Sequence, residues 1–106
     1  MMNKSKNMLD AVHPGEVLSE EYLRPLSISQ SKLALSMRVA PQRINEIING
    51  KRGISADTAL RLSRVIGTTP EFWMSLQSSY DLEVEQREHG DQIARETLPL
   101  EAAIGN

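Results

Sequence analysis

The chain has 106 residues, no cysteine and a net charge of −2. This length suits one domain with a modest core, and the absence of cysteine excludes disulfides and thiolate metal sites. No apolar run approaches the roughly 20 residues that a membrane-spanning helix needs, and the absence of cysteine favours a reducing cytoplasm as the location.

Charge is unevenly distributed along the chain. Residues 1–67 carry ten Lys or Arg and six Asp or Glu, a net charge of +4. Residues 68–106 carry two Arg and eight acidic side chains, a net charge of −6. The split favours a basic half that binds nucleic acid and an acidic second half, although an ordinary solvated surface would also account for it.

The first residues predict an arm and then a helix. Residues 1–10 are polar and without periodicity, and we expect a flexible arm. Pro14 suits the first helical position, and Glu16 lies near the positive end of the helix dipole. The helix is expected to end at Arg24, because a residue that precedes proline is disfavoured in the helical region.

Residues 29–50 predict two short helices, at about 30–37 and 41–49, joined by a tight turn. Ser29 is a good N-cap, Pro41 suits the start of the second helix, and Gly50 suits its end. The second helix buries a stripe of isoleucines at i, i+3 and i+4 spacing and leaves polar side chains outward. This pattern is typical of a helix-turn-helix whose second helix enters a major groove.

Two further helices complete an all-α, five-helix fold. One is capped by Ser55 and closed by Gly67, and the next begins at Thr69-Pro70. That last helix is expected to extend beyond the compact body to about residue 88 and to stop at Gly90. The domain is therefore expected over residues 11–89, and residues 90–106 are expected to form a flexible tail.

At this point the sequence resembles a known family. HPGE at the start, RINEIINGKRGIS, DTALRL and TPEFW are together similar to the HigA antitoxins, within the Xre or lambda-repressor-like helix-turn-helix class. The resemblance covers about His13 to Arg87. It implies a dimer that binds operator DNA, represses its own toxin–antitoxin operon and neutralises HigB, an mRNA endonuclease toxin.

One position departs from the family pattern. Helix-turn-helix turns usually carry glycine where this chain has Arg38, because the backbone there commonly needs a positive φ. A side chain in that conformation costs of order 1 kcal/mol, unless the turn differs. Arg38 also places a charge near the expected path of the phosphates.

Nine residues are predicted to bind DNA. Gln42 and Arg43 lie at the start of the recognition helix, where glutamine can bond adenine and arginine can bond guanine in two places. Asn45 is a second-rank reader, with Glu46, which either accepts from cytosine or pairs with a nearby arginine. The full set is Ser29, Gln30, Arg38, Gln42, Arg43, Asn45, Asn49, Lys51 and Arg52.

The remaining members of this set are expected to hold the DNA backbone, which positions a protein without specifying sequence. Asn49, Lys51 and Arg52 lie at the end of the recognition helix and in the basic loop. The resemblance implies that Gln30 contacts a phosphate and supports the recognition helix. A solvated helix face is the alternative for all of these residues.

The last helix carries the predicted dimer interface. Its candidates are Trp73, Leu76, Tyr80, Leu82 and Val84. The alternative is that this stripe closes the core of the monomer, which is as plausible for Trp73 and Leu76. Tyr80, Leu82 and Val84 lie beyond the compact body and are better candidates for the dimer.

No catalytic set, phosphate-binding glycine loop or metal-ligand spacing is present, so neither an enzyme nor a cofactor is expected. The acidic residues of the last helix form a solvated face or contact a basic toxin: Asp81, Glu83, Glu85 and Glu88. A stand-alone helix-turn-helix regulator without a toxin is the main alternative to an antitoxin. A protein-interaction module that has lost DNA binding is a third hypothesis.

Overall fold

The computed structural model describes residues 11–103, with side chains described over 11–101, so the predicted arm at 1–10 lies outside the described part. The prediction of an all-α fold with five main helices is confirmed. α1 spans residues 14–26 and α2 Gln30–Met37, and the recognition helix is α3, Pro41–Ile48. α4 is Ala56–Ile66, α5 is Pro70–Glu96, and a short α6, Leu100–Ala103, follows.

α1 does not end before its proline, so that prediction is wrong. Arg24 is helical, with φ −67° and ψ −51°, and the helix continues through Pro25 to Leu26. It does so because the stretch Leu18–Leu23 is a π-helix, in which the N–H of Arg24 donates to Ser19. This wider turn relieves the clash of a proline ring with the preceding turn.

The caps predicted from sequence form as expected. The hydroxyl of Ser29 accepts from the backbone N–H of Lys32, and the hydroxyls of Ser55 and Thr69 cap α4 and α5 in the same way. Helix ends are therefore fixed by local chemistry, and the apolar faces meet in one core. The buried apolar side chains are Leu18, Leu23, Leu33, Ala34, Met37, Ile44, Ile47, Ile54, Ala59, Leu62 and Trp73.

α1 holds the recognition helix through a backbone contact. Gly15 is buried, and a Cβ at this position would overlap the carbonyl oxygen of Ile47 and lie 2.6 Å from its carbonyl carbon. Glycine is therefore required by the close approach of two backbones. The contact therefore sets how closely the C-terminal end of α3 packs against α1.

α5 continues past Gly90 to Glu96, so the prediction that Gly90 ends it is wrong. Gly90 keeps a helical backbone, and the side chain of Gln86 lies over it and buries it. The helix ends at Thr97, whose hydroxyl donates to the carbonyl of Ile93. Residues 90–96 are thus helical, and none of the described helices is long and apolar enough to span a membrane.

Candidate nucleic-acid interface

The turn between α2 and α3 keeps a left-handed residue without glycine. Arg38 has φ 60° and ψ 45°, and its N–H donates to the carbonyls of Ala34 and Leu35, which ends α2. The turn therefore has the geometry that normally favours glycine, at a cost of about 1–2 kcal/mol for a residue with a Cβ. The Arg38 side chain lies exposed beside the start of α3.

The outward side of α3 presents polar side chains, which we call the reading face: Gln42, Asn45, Glu46 and Asn49. The opposite side is fixed, because Ile44 and Ile47 are fully buried. α3 begins at Pro41, whose missing N–H costs nothing at a first helical position. The face is therefore held rigidly and offers amide groups that can both donate and accept.

The amides of the reading face connect α3 to α2. The Nδ2 of Asn45 donates to the Oε1 of Gln30 over 3.3 Å. The Nδ2 of Asn49 donates to the Oδ1 of Asn45 over 3.2 Å. Gln30 thus contacts the recognition helix, and these two bonds fix which edge of each amide points outward.

Glu46 takes the second of its two predicted alternatives and pairs with an arginine. Its carboxylate accepts from Arg52 over 2.8 Å and from the Nε2 of Gln42 over 2.9 Å. These bonds, that of Arg52 first, lower the pKa of Glu46 below its ordinary value. The carboxylate therefore stays ionised at neutral pH and holds two predicted DNA-binding side chains at defined positions.

Arg43 lies on the flank of α3 and not on the reading face. Its guanidinium donates to Asp57 over 2.8 Å and to the hydroxyl of Thr58 over 3.3 Å, so it braces α3 against the start of α4. Asp57 also accepts from Arg61 over 2.9 Å, and the bond from Arg43 is the main reason why the pKa of Asp57 is lowered. Its Nη1 is thus engaged with α4, and base reading by Arg43 stays a prediction.

The basic loop after α3 is tied to α5. Gly50 takes a positive φ of 74°, and the exposed Lys51 follows it. The N–H of Ile54 donates to the Oε1 of Gln77 over 2.6 Å, which holds the end of the loop. Sequence reasoning missed Gln77 as a positioning residue, since no local signal marks a bond between residues so far apart in the chain.

The predicted dimer residues separate into two groups. Trp73 is 0% exposed and its Nε1 donates to the hydroxyl of Thr68, so its assignment to the interface is wrong: the ring fills the monomer core. Leu76 packs against the same core. Tyr80 lies edge-on against His13 within the chain, with ring centroids 4.8 Å apart.

Leu82 is the candidate left uncovered in the monomer. Its side chain is 72% exposed, whereas Val84 is half-buried. Among the described residues of α5, Ile93 is also exposed, at 44%, three turns further along the same side of the helix. Leu82 and Ile93 are thus two exposed apolar side chains on one side of the projecting part of α5, with Gln86 and His89 between them, and we call this side the strip.

Comparison with known proteins identifies relatives of this chain. The helix-turn-helix family model matches residues 20–73. Virulence-associated protein I of Dichelobacter nodosus is 48% identical over 83 residues, which are 78% of this chain and 77% of that protein. Antitoxin HigA-1 of Vibrio cholerae is 37% identical over 81 residues, 76% of this chain and 74% of the relative.

Solved structures show the same fold in a DNA complex. The structure described as Pseudomonas aeruginosa antitoxin HigA with the higBA promoter has a TM-score of 0.82 and 43% identity, and the match covers 85% of this chain and 98% of that one. The chain therefore belongs to the helix-turn-helix family, within the Xre-like class, and is a homologue of the HigA antitoxins.

Proposed function

We propose that this chain is the antitoxin of a type II toxin–antitoxin pair. It binds operator DNA in the cytoplasm as a homodimer, represses its own operon and neutralises a HigB-like mRNA endonuclease by direct binding. The observation that carries the DNA-binding part is the rigid reading face of α3, backed by Ile44 and Ile47. The Pseudomonas aeruginosa HigA homologue, whose structure includes a promoter, supports it.

The reading face matches the chemistry of a major groove. Glutamine and asparagine amides can bond the N6 and N7 edge of adenine in two places, which suits Gln42 and Asn45. Lys51 and Arg52 hold phosphates at the far end of α3. Ser29 and Gln30 hold them at the start of α2, where free N–H groups and the helix dipole attract anions.

A homodimer gives this reading face its specificity. Two recognition helices about 34 Å apart can enter successive major grooves on one side of a duplex. The projecting part of α5 supplies the surface, because a lone helix is marginal in water and the strip of Leu82 and Ile93 is uncovered. The acidic side chains beside this strip remain candidates for toxin contact.

Leu82→Glu is expected to make the protein monomeric at micromolar concentration, because a carboxylate would replace the most exposed apolar group of the strip. Light scattering measures the outcome. Leu35→Glu is the matched control, since Leu35 on α2 is 74% exposed against 72% for Leu82, and this variant should stay dimeric. An unchanged dimer in Leu82→Glu would rule out this interface.

Lys51→Ala is expected to weaken binding to every duplex alike and to lower the slope of log affinity against log salt by about one per protomer. The physical reason is that an exposed lysine in a loop contacts phosphates and no base edge. Fluorescence anisotropy over a salt series, with the upstream region of the gene and a shuffled duplex of equal length, tests it. A loss confined to the upstream duplex would contradict the assignment.

The same titration tests the function itself. The wild-type chain should bind the upstream duplex at least about a thousandfold tighter than the shuffled one at physiological salt. Co-purification with the product of the neighbouring gene tests the antitoxin part. Specific DNA binding without any such complex would favour the stand-alone regulator, and equal binding to both duplexes would contradict operator recognition.

A further inference from the structure

A second concentration of positive charge lies outside the reading face. Between the end of α2 and α4 there is a cleft of about 320 Å³ whose lining, among the residues that the structure describes, contains three arginines and no acidic side chain. We call it the arginine cleft. Its lining residues are Ser36, Met37, Arg38, Arg61, Arg64 and Val65.

The three arginines differ in whether other residues hold their side chains in place. Arg61 is fixed, because it donates to the carbonyl of Met37 over 2.9 Å and to Asp57 over 2.9 Å. The side chains of Arg38 and Arg64 are exposed and make no hydrogen bond or ion pair with the described residues. The cleft therefore presents two unpaired guanidinium groups beside one that is held in place.

The backbone conformation of Arg38 also supports a functional role for the cleft. Its left-handed conformation, φ 60°, is one that glycine would adopt without strain. Strained residues that persist in a fold are concentrated at functional sites. Arg38 therefore places a charged side chain at the cleft, although its backbone conformation is strained.

The cleft also lies next to the start of the recognition helix. Arg38 is in the turn that leads directly into α3, and Asp57 joins Arg61 to Arg43 on the first turn of that helix. The cleft thus flanks the N-terminal end of the recognition helix, the end at which helix-turn-helix proteins approach the bases. The phosphates that border the major groove run beside such an end.

We propose that the arginine cleft binds a phosphodiester group of the DNA strand that borders the groove occupied by α3. Guanidinium groups bind phosphate oxygens through paired N–H donors, and Arg38 and Arg64 supply them here. The proposal rests on the proposed DNA binding and extends the footprint beyond the reading face and the basic loop. Inorganic phosphate shares this chemistry and is the competing ligand.

Salt dependence tests the proposal. Arg64→Gln should lower the slope of log affinity against log salt by about 0.9 for each protomer bound, with equal loss on upstream and shuffled duplexes. Arg38→Gln, which keeps a side chain at the strained position, should do the same. Arg95→Gln on α5, an exposed arginine far from the cleft, is the matched control and should leave the slope unchanged.

The outcomes separate this proposal from the proposed function. Wild-type protein that binds no duplex would overturn both. Wild-type protein that binds the upstream duplex, with slopes unchanged in folded Arg64→Gln and Arg38→Gln, would overturn the cleft alone. Nuclear magnetic resonance of the guanidinium Nε–H groups identifies the ligand: shifts of Arg38 and Arg64 with duplex support the proposal, whereas shifts only with inorganic phosphate or a polyglutamate peptide overturn it.

Discussion

Gly15→Ala is expected to lower the free energy of unfolding by about 3 kcal/mol, a value typical of severe overpacking. The new Cβ would overlap the carbonyl oxygen of Ile47 and lie 3.0 Å from the Cα of Ile48. These are backbone atoms, so no side-chain rotation relieves the clash and α1 must move away from α3. At an unhindered helix position the same change would be stabilising by up to about 1 kcal/mol.

Urea unfolding followed by circular dichroism measures this effect. Gly67→Ala is the matched control, because Gly67 has a positive φ of 95° and no atom of a described residue lies within 4 Å of its added Cβ. That variant should lose only about 1 kcal/mol from backbone strain. If Gly15→Ala lost no more than Gly67→Ala, the backbones of α1 and α3 could not approach as closely as described.

Local chemistry explains why most helix starts could be predicted from the sequence. Ser29, Ser55 and Thr69 each place a hydroxyl before a helix, and each accepts a backbone N–H of the first turn. Pro41 begins the recognition helix for an equally local reason. The isoleucine spacing then fixes which side of α3 is buried, so the reading face follows from a short stretch of sequence.

The errors arose where a local rule was overridden by neighbouring atoms. Pro25 remains helical because a π turn precedes it, and Gly90 stays within α5 with the side chain of Gln86 packed over it. Helical position alone also gave no sign that Arg43 bonds to a neighbouring helix. Its partner Asp57 lies on the next helix, and only the packing of α4 against α3 shows that the guanidinium is engaged.

Packing also explains why an acidic residue, Glu46, lies on the reading face. A carboxylate on the reading face repels phosphates, yet it positions Gln42 and Arg52 through bonds of 2.9 and 2.8 Å. Since the pKa of Glu46 is lowered in the folded chain, the stabilisation from these bonds is present at neutral pH. It is lost only as the pH falls through that lowered pKa.

Gln42→Ala is expected to reduce operator affinity by about 1–3 kcal/mol per protomer, and by roughly 2–6 kcal/mol for a dimer, about 30- to 10⁴-fold. Gln42 lies in the first turn of α3, where side chains reach base edges, and Glu46 already orients its amide. Alanine removes the base contact and leaves the phosphate contacts, so binding to a shuffled duplex should be unchanged. One base position in each half-site should become tolerant of substitution.

Fluorescence anisotropy with duplexes substituted at each position measures both effects. Gln92→Ala is the matched control, because the Nε2 of Gln92 donates to Glu96 over 2.9 Å, the same local bond that Gln42 makes with Glu46. Gln92 lies on α5, away from the reading face, so its loss should leave operator affinity unaltered. If both variants bound the operator as wild type does, Gln42 would be a solvated side chain, and base reading would fall to Asn45 and its neighbours. If Gln42→Ala weakened upstream and shuffled duplexes equally, Gln42 would instead contact the DNA backbone.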